Sequence, residues 1–287
     1  MAGATNTKVY GEEWQIRLQE ELDEPTKFKE ICKVIFTNTK VLHNPYLTEA
    51  SVQSGTRACP YTHQAVVETD ESVDINTFKI LPQIIDRADL AQSTYSGQMA
   101  LATRQAILLN ESIEEAIYDD HTNFTDFGTS DIGGGGSSSS PITVSVTNID
   151  DIIRGVGKTI REAEGESLWQ RHGAFFVWRP ADFELLEAYM QANGFASADR
   201  ALVKCIGMRI DYMGFTHYSS NLLDANHVIA GVKNAPTVGI LKATYGQVMV
   251  NTKDPGDVSG ISVVSRVDFK EKVWNKTKPV IFDVNVA

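Results

Sequence analysis

The chain has 287 residues, 42% hydrophobic and 22% charged, and its 26 Lys and Arg against 37 Asp and Glu leave a formal charge of −11. That length fits one large domain or two modest ones, with ample apolar material for a core. A dedicated nucleic-acid binder, which would show a basic stripe, is disfavoured. A membrane-spanning helix is excluded, because the longest apolar run, Ala174–Trp178, falls far short of the roughly 20 residues required.

The first 45 residues are polar and poorly periodic. Glu12–Glu24 has the makings of a short helix ended by Pro25, and Phe28, Ile31, Ile35 and Phe36 form a weakly amphipathic stretch; an extended arm and a packed element remain alternatives here. Residues 44–64 are rich in turn formers (Asn44-Pro45, Ser54-Gly55, Cys59-Pro60). From Gln64 to Ile85 the alternation of Val67, Val73, Ile75, Phe78 and Ile80 with polar neighbours predicts strands, with a hairpin return at Asp74–Thr77. Two strands alone lack the partners needed for stability, so this projection is expected to brace against something else.

Between Asp86 or Asp89, either a fitting N-cap, and Tyr118, apolar residues fall at Met99, Ala102, Ala106, Leu109, Ile113 and Ala116. Spacings alternating between three and four put one stripe along a long helix. Its last turns carry Glu111, Glu114, Glu115, Asp119 and Asp120, the wrong sign for the negative end of the helix dipole, so basic groups from elsewhere are needed to offset them. Gly133–Gly136 followed by Ser137–Ser140 reads as a flexible surface loop or crossover. Thr147 or Asn148 then caps a helix burying Ile149, Ile152, Ile153, Val156 and Ile160; Ala174–Trp178 is a buried strand; and Pro180 opens a helix stopped at Asn193-Gly194. A further helical turn is expected at 198–206, and strands at 208–218, 228–232, 245–250, 261–274 and 280–286. Alternation of helix and strand over 149–235 is the pattern of an α/β layer.

No chemical motif survives its structural requirements. Gly155-Val156-Gly157-Lys158-Thr159 has the ending of a phosphate-binding loop, but Ile152 stands where its first glycine belongs, and the tetrad falls inside a helix whose amides are already bonded. Cys59 and His63 are four apart, yet no second ligand pair exists to complete a zinc site. Cys205 sits in an apolar stretch and reads as packing, and no Gly-x-Ser-x-Gly elbow is present. Asp119-Asp120 and Asp150-Asp151 lie at helix ends, where carboxylates are ordinary. Trp14, Trp169, Trp178 and Trp274 are too scattered for a stacking platform. The expected sets of catalytic, cofactor-binding and metal-binding residues are therefore empty, and the chain is read as a non-enzyme. Cys32, Cys59 and Cys205 form no Cys-x-x-Cys and suit reduced thiols. Met1–Lys8 lacks a charged start followed by an apolar stretch, so no secretory signal is expected and the product reads as one assembled inside a cell.

The order of parts is more specific than any motif. Thr77-Phe78-Lys79-Ile80-Leu81-Pro82-Gln83-Ile84-Ile85-Asp86 running on to Ser93, Gly207–Phe215 followed by Ser219-Ser220-Asn221-Leu222-Leu223, and His227-Val228-Ile229-Ala230-Gly231-Val232-Lys233-Asn234-Ala235 together resemble the major capsid proteins of tailed bacteriophages. The resemblance runs from about residue 37 to the C-terminus. It implies an α+β, Hong Kong 97-type capsid fold: an N-terminal arm at 1–44, an extended β-hairpin loop at 45–85, and a peripheral domain with the long spine helix and Gly/Ser-rich crossover at 86–148. An axial α/β domain at 149–239, peripheral long strands with a tip at 240–278, and a last axial strand at 279–287 complete it.

The function so implied is self-assembly into an icosahedral shell enclosing double-stranded DNA, with many copies arranged as pentamers and hexamers. Scaffolding, portal and decoration proteins, non-specific contact with packaged DNA, a virion location and assembly in the host cytoplasm follow as expectations. No membrane partner and no cofactor are expected. The absence of a long charged N-terminal coil points to a separate scaffolding protein or a removed propeptide. An encapsulin-like compartment enclosing a cargo enzyme is the alternative, and a soluble α/β enzyme stands third, without a recognisable site.

Overall fold

In the computed structural model, the described residues are 27–47, 51–52, 63–86, 95–193, 209–251 and 260–287. They start with a helical turn, α1 (Lys27–Ile31), and strands β1 (Lys33–Thr37), β2 (Val41–Leu47) and β3 (Glu68–Asp74). Strand β4 (Thr77–Asp86) precedes the long helix α2 (Tyr95–Asp119), which passes through a 3₁₀ turn at Asp120–Asn123 into β5 (Thr125–Phe127). Next come α3 (Ile149–Glu162), α4 (Glu166–His172), β6 (Ala174–Trp178), α5 (Pro180–Ala192), β7 (Arg209–Tyr212), β8 (Phe215–Ser219) and β9 (His227–Val232). Strands β10 (Pro236–Leu241), β11 (Gln247–Asn251), β12 (Gly260–Val273) and β13 (Ile281–Asn285) follow. No helix among the described residues is long and apolar enough to cross a membrane.

Two sheets sandwich α2. In the first, β12 is the long central strand: β10 and β11 lie end to end along one side, at Phe269–Val273 and Ser262–Arg266, while β4 runs antiparallel along the other from Gly260 to Phe269. Strand β1 joins β10 in parallel. The second sheet is mixed and six-stranded, in the order β5-β13-β9-β6-β8-β7. Its interior strand β6 faces apolar surroundings on both sides, which explains an uninterrupted Ala-Phe-Phe-Val-Trp run. Phe175 and Val177 join Ala106, Leu109, Ile113 and Tyr118 of α2 in one core, which also takes Val267 and Phe269 of β12. Ala174, Phe176 and Trp178 join a second core with Ile149, Ile152, Ile153, Val156 and Ile160 of α3 and Phe183, Leu186 and Met190 of α5. The β7–β8 hairpin turns on Met213 (φ 51°) and Gly214 (φ 81°), the double left-handed pair that a two-residue turn requires.

Most of the expected elements form, with informative differences. Helix α2 begins at Tyr95 and Asp86 is the last residue of β4, so Asp86 is not its N-cap; Asp89 lies outside the described residues, as do the expected helices at Glu12–Glu24 and 198–206 and all but the two end residues of the tip expected at Asn251–Gly260. Along the predicted stripe Ala106, Leu109 and Ile113 are buried and Ala116 is half-buried. The return at Asp74–Thr77 does not fold β3 onto β4. Instead β3 pairs antiparallel with β2, from Val41↔Asp74 to Leu47↔Glu68, and β4 is claimed by β12. The turn-rich reading of Asn44-Pro45 is corrected likewise: both residues lie within β2, on a ribbon edge where proline is tolerated.

The Gly/Ser tract also departs from the reading of a conformationally unspecified loop. Thr129 N–H donates to Ser140 O (3.1 Å), Gly134 N–H to Thr129 O (2.7 Å) and Ser140 N–H to Ser137 O (2.9 Å), closing residues 128–140 into a compact hydrogen-bonded loop. A Cβ on Gly128 would stand 2.3 Å from Ser138 O and one on Gly134 would stand 2.5 Å from Thr129 O, so the glycines let backbone approach backbone.

Candidate assembly surfaces

Strand β4 shows an inverted pattern for the edge of a sheet. Leu81 and Gln83 turn inward, Leu81 onto the core and Gln83 Oε1 accepting from Gln105 Nε2 at 2.7 Å. Gln105 Oε1 in turn accepts from Ser265 Oγ at 2.5 Å, so a polar relay ties β4, α2 and β12 together. The outward positions are Phe78, Ile80, Pro82 and Ile84, of which Phe78, Ile80 and Ile84 are 62%, 46% and 52% exposed. The outward face is therefore the more apolar one, the reverse of a strand whose outer face meets water. Next to it on the sheet lie Val264, opposite Pro82, and Met249, opposite Val264 and 56% exposed. Arg266 covers part of Phe78 and is held by Asp268 at 2.6 and 2.7 Å. Exposed apolar residues gathered on one strand face make this a candidate interaction surface.

The β2–β3 ribbon is the second such surface. Its base is fixed: Ile75 is buried, donates its N–H to Lys40 O at 2.7 Å, and packs with Leu42 beside Gly239. Asn275 N–H reaches Glu71 Oε2 at 3.2 Å and Lys276 lies over the Tyr46 ring. Farther along, Leu47, Val66 and Val67 are exposed, and the exposed His43–Asp70 pair (2.6 Å) links the two strands. Among the described residues the ribbon pairs with no third strand, and it is built from β2 and β3 rather than from the hairpin expected over 64–85.

The acidic end of α2 is offset from two strands: Lys79 of β4 acts on Asp119, and Lys270 and Lys272 of β12 act on Asp120. Burial still raises both carboxyls, Asp119 further through Asp224 and Glu115. One turn earlier Glu114 is buried and accepts from Tyr118 Oη at 2.7 Å. Burial raises its carboxyl above 4.5, against the lowering effect of Tyr118 and Lys27. The folded chain therefore holds this proton to higher pH than the unfolded chain, and stability falls as pH rises from about 4.5 through the folded value. Glu114→Gln is expected to flatten that decline, gaining on the parent as pH climbs. Urea midpoints of both full chains from pH 4 to 8 check it, and parallel curves would refute the burial cost.

The motifs weighed for chemistry are absorbed by structure. Gly155 and Gly157 lie inside α3, where a Cβ would meet Phe127 Cζ at 2.9 Å and the Trp169 ring at 3.3 Å; they serve close packing, and Lys158 pairs with Glu162 at the surface. Asp150 and Asp151 both engage Arg154, Asp151 at 3.1 Å, and Asp150 accepts from Tyr212 Oη at 3.1 Å. Cys32 is buried and its thiol is pushed far up by burial and by Glu114, which leaves it unreactive. Cys59 and Cys205 fall outside the described residues, and His63 is exposed.

No family model matches the chain, and no curated protein matches it in sequence. Solved structures do match. A chain of Mycobacterium phage Che8 is 17% identical with a TM-score of 0.61, covering 85% of this chain and 84% of that one. The capsid of an empty GTA particle is 13% identical with a TM-score of 0.62, over 91% and 89%. A virus-like particle from Pyrococcus furiosus is 11% identical with a TM-score of 0.60, over 96% and 99%. Two sheets clasping a spine helix, an outlying two-stranded ribbon and near-complete coverage in both directions lead to one conclusion: the chain has the Hong Kong 97-type capsid fold.

Proposed function

We propose that the chain is a structural shell protein, the major capsid protein of a tailed phage, whose copies close into an icosahedral container for double-stranded DNA. The observation that carries this reading is the outward apolar face of β4 at Phe78, Ile80 and Ile84, placed on a fold shared with capsids. Such a face is costly on a lone subunit and useful on one that neighbours cover. The charge of −11 suits a wall that contains DNA without gripping it.

In this reading residues 1–44 form the arm and 45–85 the extended loop. The peripheral domain takes 86–148 and 240–278, and the axial domain takes 149–239 and 279–287. The β2–β3 pairing supports starting the loop nearer residue 41, and the pairing of β4 and β10 with β12 supports drawing both strands into the peripheral part. Pentamers and hexamers of the chain, scaffolding, portal and decoration proteins, and non-specific contact with DNA are its partners. The location is the virion after assembly in the host cytoplasm, and the role is non-enzymatic.

Negative-stain microscopy of the purified full chain, expressed with its neighbouring genes, tests the reading. Uniform closed shells holding nuclease-protected double-stranded DNA are expected. An encapsulin-like compartment enclosing a cargo enzyme is the second reading, which shells containing such an enzyme and no DNA would establish. Monomers or dimers at every concentration would overturn both.

A further inference from the structure

Where α2 ends, three elements converge on one cluster. His121 comes from the 3₁₀ turn, His227 from the start of β9 and Asp283 from the middle of β13. His227 Nδ1 lies 2.9 and 3.0 Å from the two Asp283 oxygens, His121 Nδ1 lies 3.3 Å from Asp283 Oδ2, and one donor atom from each residue falls within 4.8 Å of the others. Asp283 is buried, and both histidines are partly buried.

Three features suit a cation held among them. The first is geometry. Metal–ligand bonds of about 2.0–2.1 Å put tetrahedral ligand atoms roughly 3.3 Å apart; the two edges to Asp283, 2.9 and 3.3 Å, are of that size, and all three donor atoms lie within 4.8 Å of one another. The second is an unmet atom: His121 Nδ1 is buried and makes no hydrogen bond among the described residues, although it faces Asp283. Its far nitrogen, Nε2, lies 3.5 Å from Asp224 Oδ2. A carboxylate behind the ring is the arrangement found at metal-bound imidazoles, and it holds the ring with Nδ1 toward Asp283. The third is charge. Asp126 and Asp119 add their fields, Asp126 to Asp283 and Asp119 beside Asp224, so carboxylates outnumber the two imidazoles.

We propose that His121, His227 and Asp283 form a binding site for a zinc-class transition-metal ion, with Asp224 positioning His121 and a water completing the coordination. The two rings are stacked 3.9 Å apart and 26° from parallel. Binding releases to solvent the Nδ1 proton that His227 shares with Asp283 and tilts the rings until both nitrogens meet at the ion, a motion about the broad χ2 torsion of histidine. The ion clamps the end of α2 to two neighbouring strands of the second sheet, so its binding stabilises the folded chain.

The test uses the full chain stripped with chelator, then titrated with Co²⁺ as a visible probe and with Zn²⁺ in thermal melts. Intense tetrahedral d–d bands saturating near one equivalent, about a single ion per chain, and a Tm that rises with Zn²⁺ are expected. His121→Gln with His227→Gln abolishes both signals. Asp224→Asn, which leaves the ligands in place, weakens binding about tenfold or more, and keeps the proposal testable should the double variant misfold. His43→Gln, at the exposed His43–Asp70 pair, leaves both signals unchanged. Absence of cobalt bands and of zinc-linked stabilisation in the parent chain overturns the site, as does undiminished binding in Asp224→Asn together with the double variant.

Discussion

Replacing Trp178 with alanine is expected to cost about 4 kcal/mol, the scale of a fully buried tryptophan lost from a core. Total domain stabilities are about 5–15 kcal/mol, so this one change takes a large share. Trp178 is wholly buried, stacks on Phe176 at 5.1 Å and donates its indole N–H to His217 Nδ1 at 2.9 Å. That bond makes Nδ1 the acceptor and leaves the ring proton on Nε2, 3.2 Å from Tyr212 O. His217 is thus held neutral, its pKa lowered from 6.5 to about 4 by burial.

Below pH 6.5 the unfolded chain takes up this proton and the folded chain does not, so stability declines as pH falls from 6.5 toward about 4. Trp178→Ala opens a cavity beside the imidazole and admits water, which relieves the burial. The variant is expected to be weaker at neutral pH and to lose less between pH 6.5 and 4 than its parent. Urea denaturation of unassembled full chains at several pH values measures both. A loss under 1 kcal/mol, or an unchanged pH slope, would show that the site is not the sealed pocket described.

The second large effect concerns assembly and leaves folding alone. Ile80→Asp with Ile84→Asp changes two outward positions of β4 that are about half exposed, so the isolated chain is expected to fold with a Tm within a few degrees of the parent. In a shell, each copy would bury two unpaired carboxylates against a neighbour, a penalty of several kcal/mol per ion in a dry interface. Closed particles are expected to disappear while soluble subunits remain, as read by sedimentation velocity and microscopy. Normal shells from this variant would remove the β4 face from the assembly surfaces.

How much of this was legible in sequence depends on where each residue finds its partner. Helix α3 and strand β6 were readable because their signal is local: a 3.6-residue stripe, and a run apolar on both faces. The stripe of α2 was readable for the same reason. Strands β1 and β2 were not, since each is short and pairs with residues far along the chain, Lys33 with Thr237 and Val41 with Asp74. Strand β4 is legible as a strand but its partner is not, because the turn residues at Asp74–Thr77 point to the nearest strand while β12 offers ten residues of register. Its outward Phe78, Ile80 and Ile84 looked like ordinary strand residues until the sheet showed which side faced the core. The order of the Gly/Ser loop lies in backbone hydrogen bonds that composition does not report. His121, His227 and Asp283 have no motif spacing at all, and only the fold brings them together.

The strand order of the two sheets has a consequence for synthesis. Strand β12 is the centre of the first sheet, and β13 separates β5 from β9 in the second. Both come from residues 260–285, so neither sheet is complete on a nascent chain until that stretch has left the ribosome. A translation product truncated before residue 260 leaves β4 and β10 without the strand that joins them, and β5 without the one that ties it to β9. Synthesis of residues 260–285 is thereby the gate to completing both sheets, whose earlier strands are held apart until it arrives.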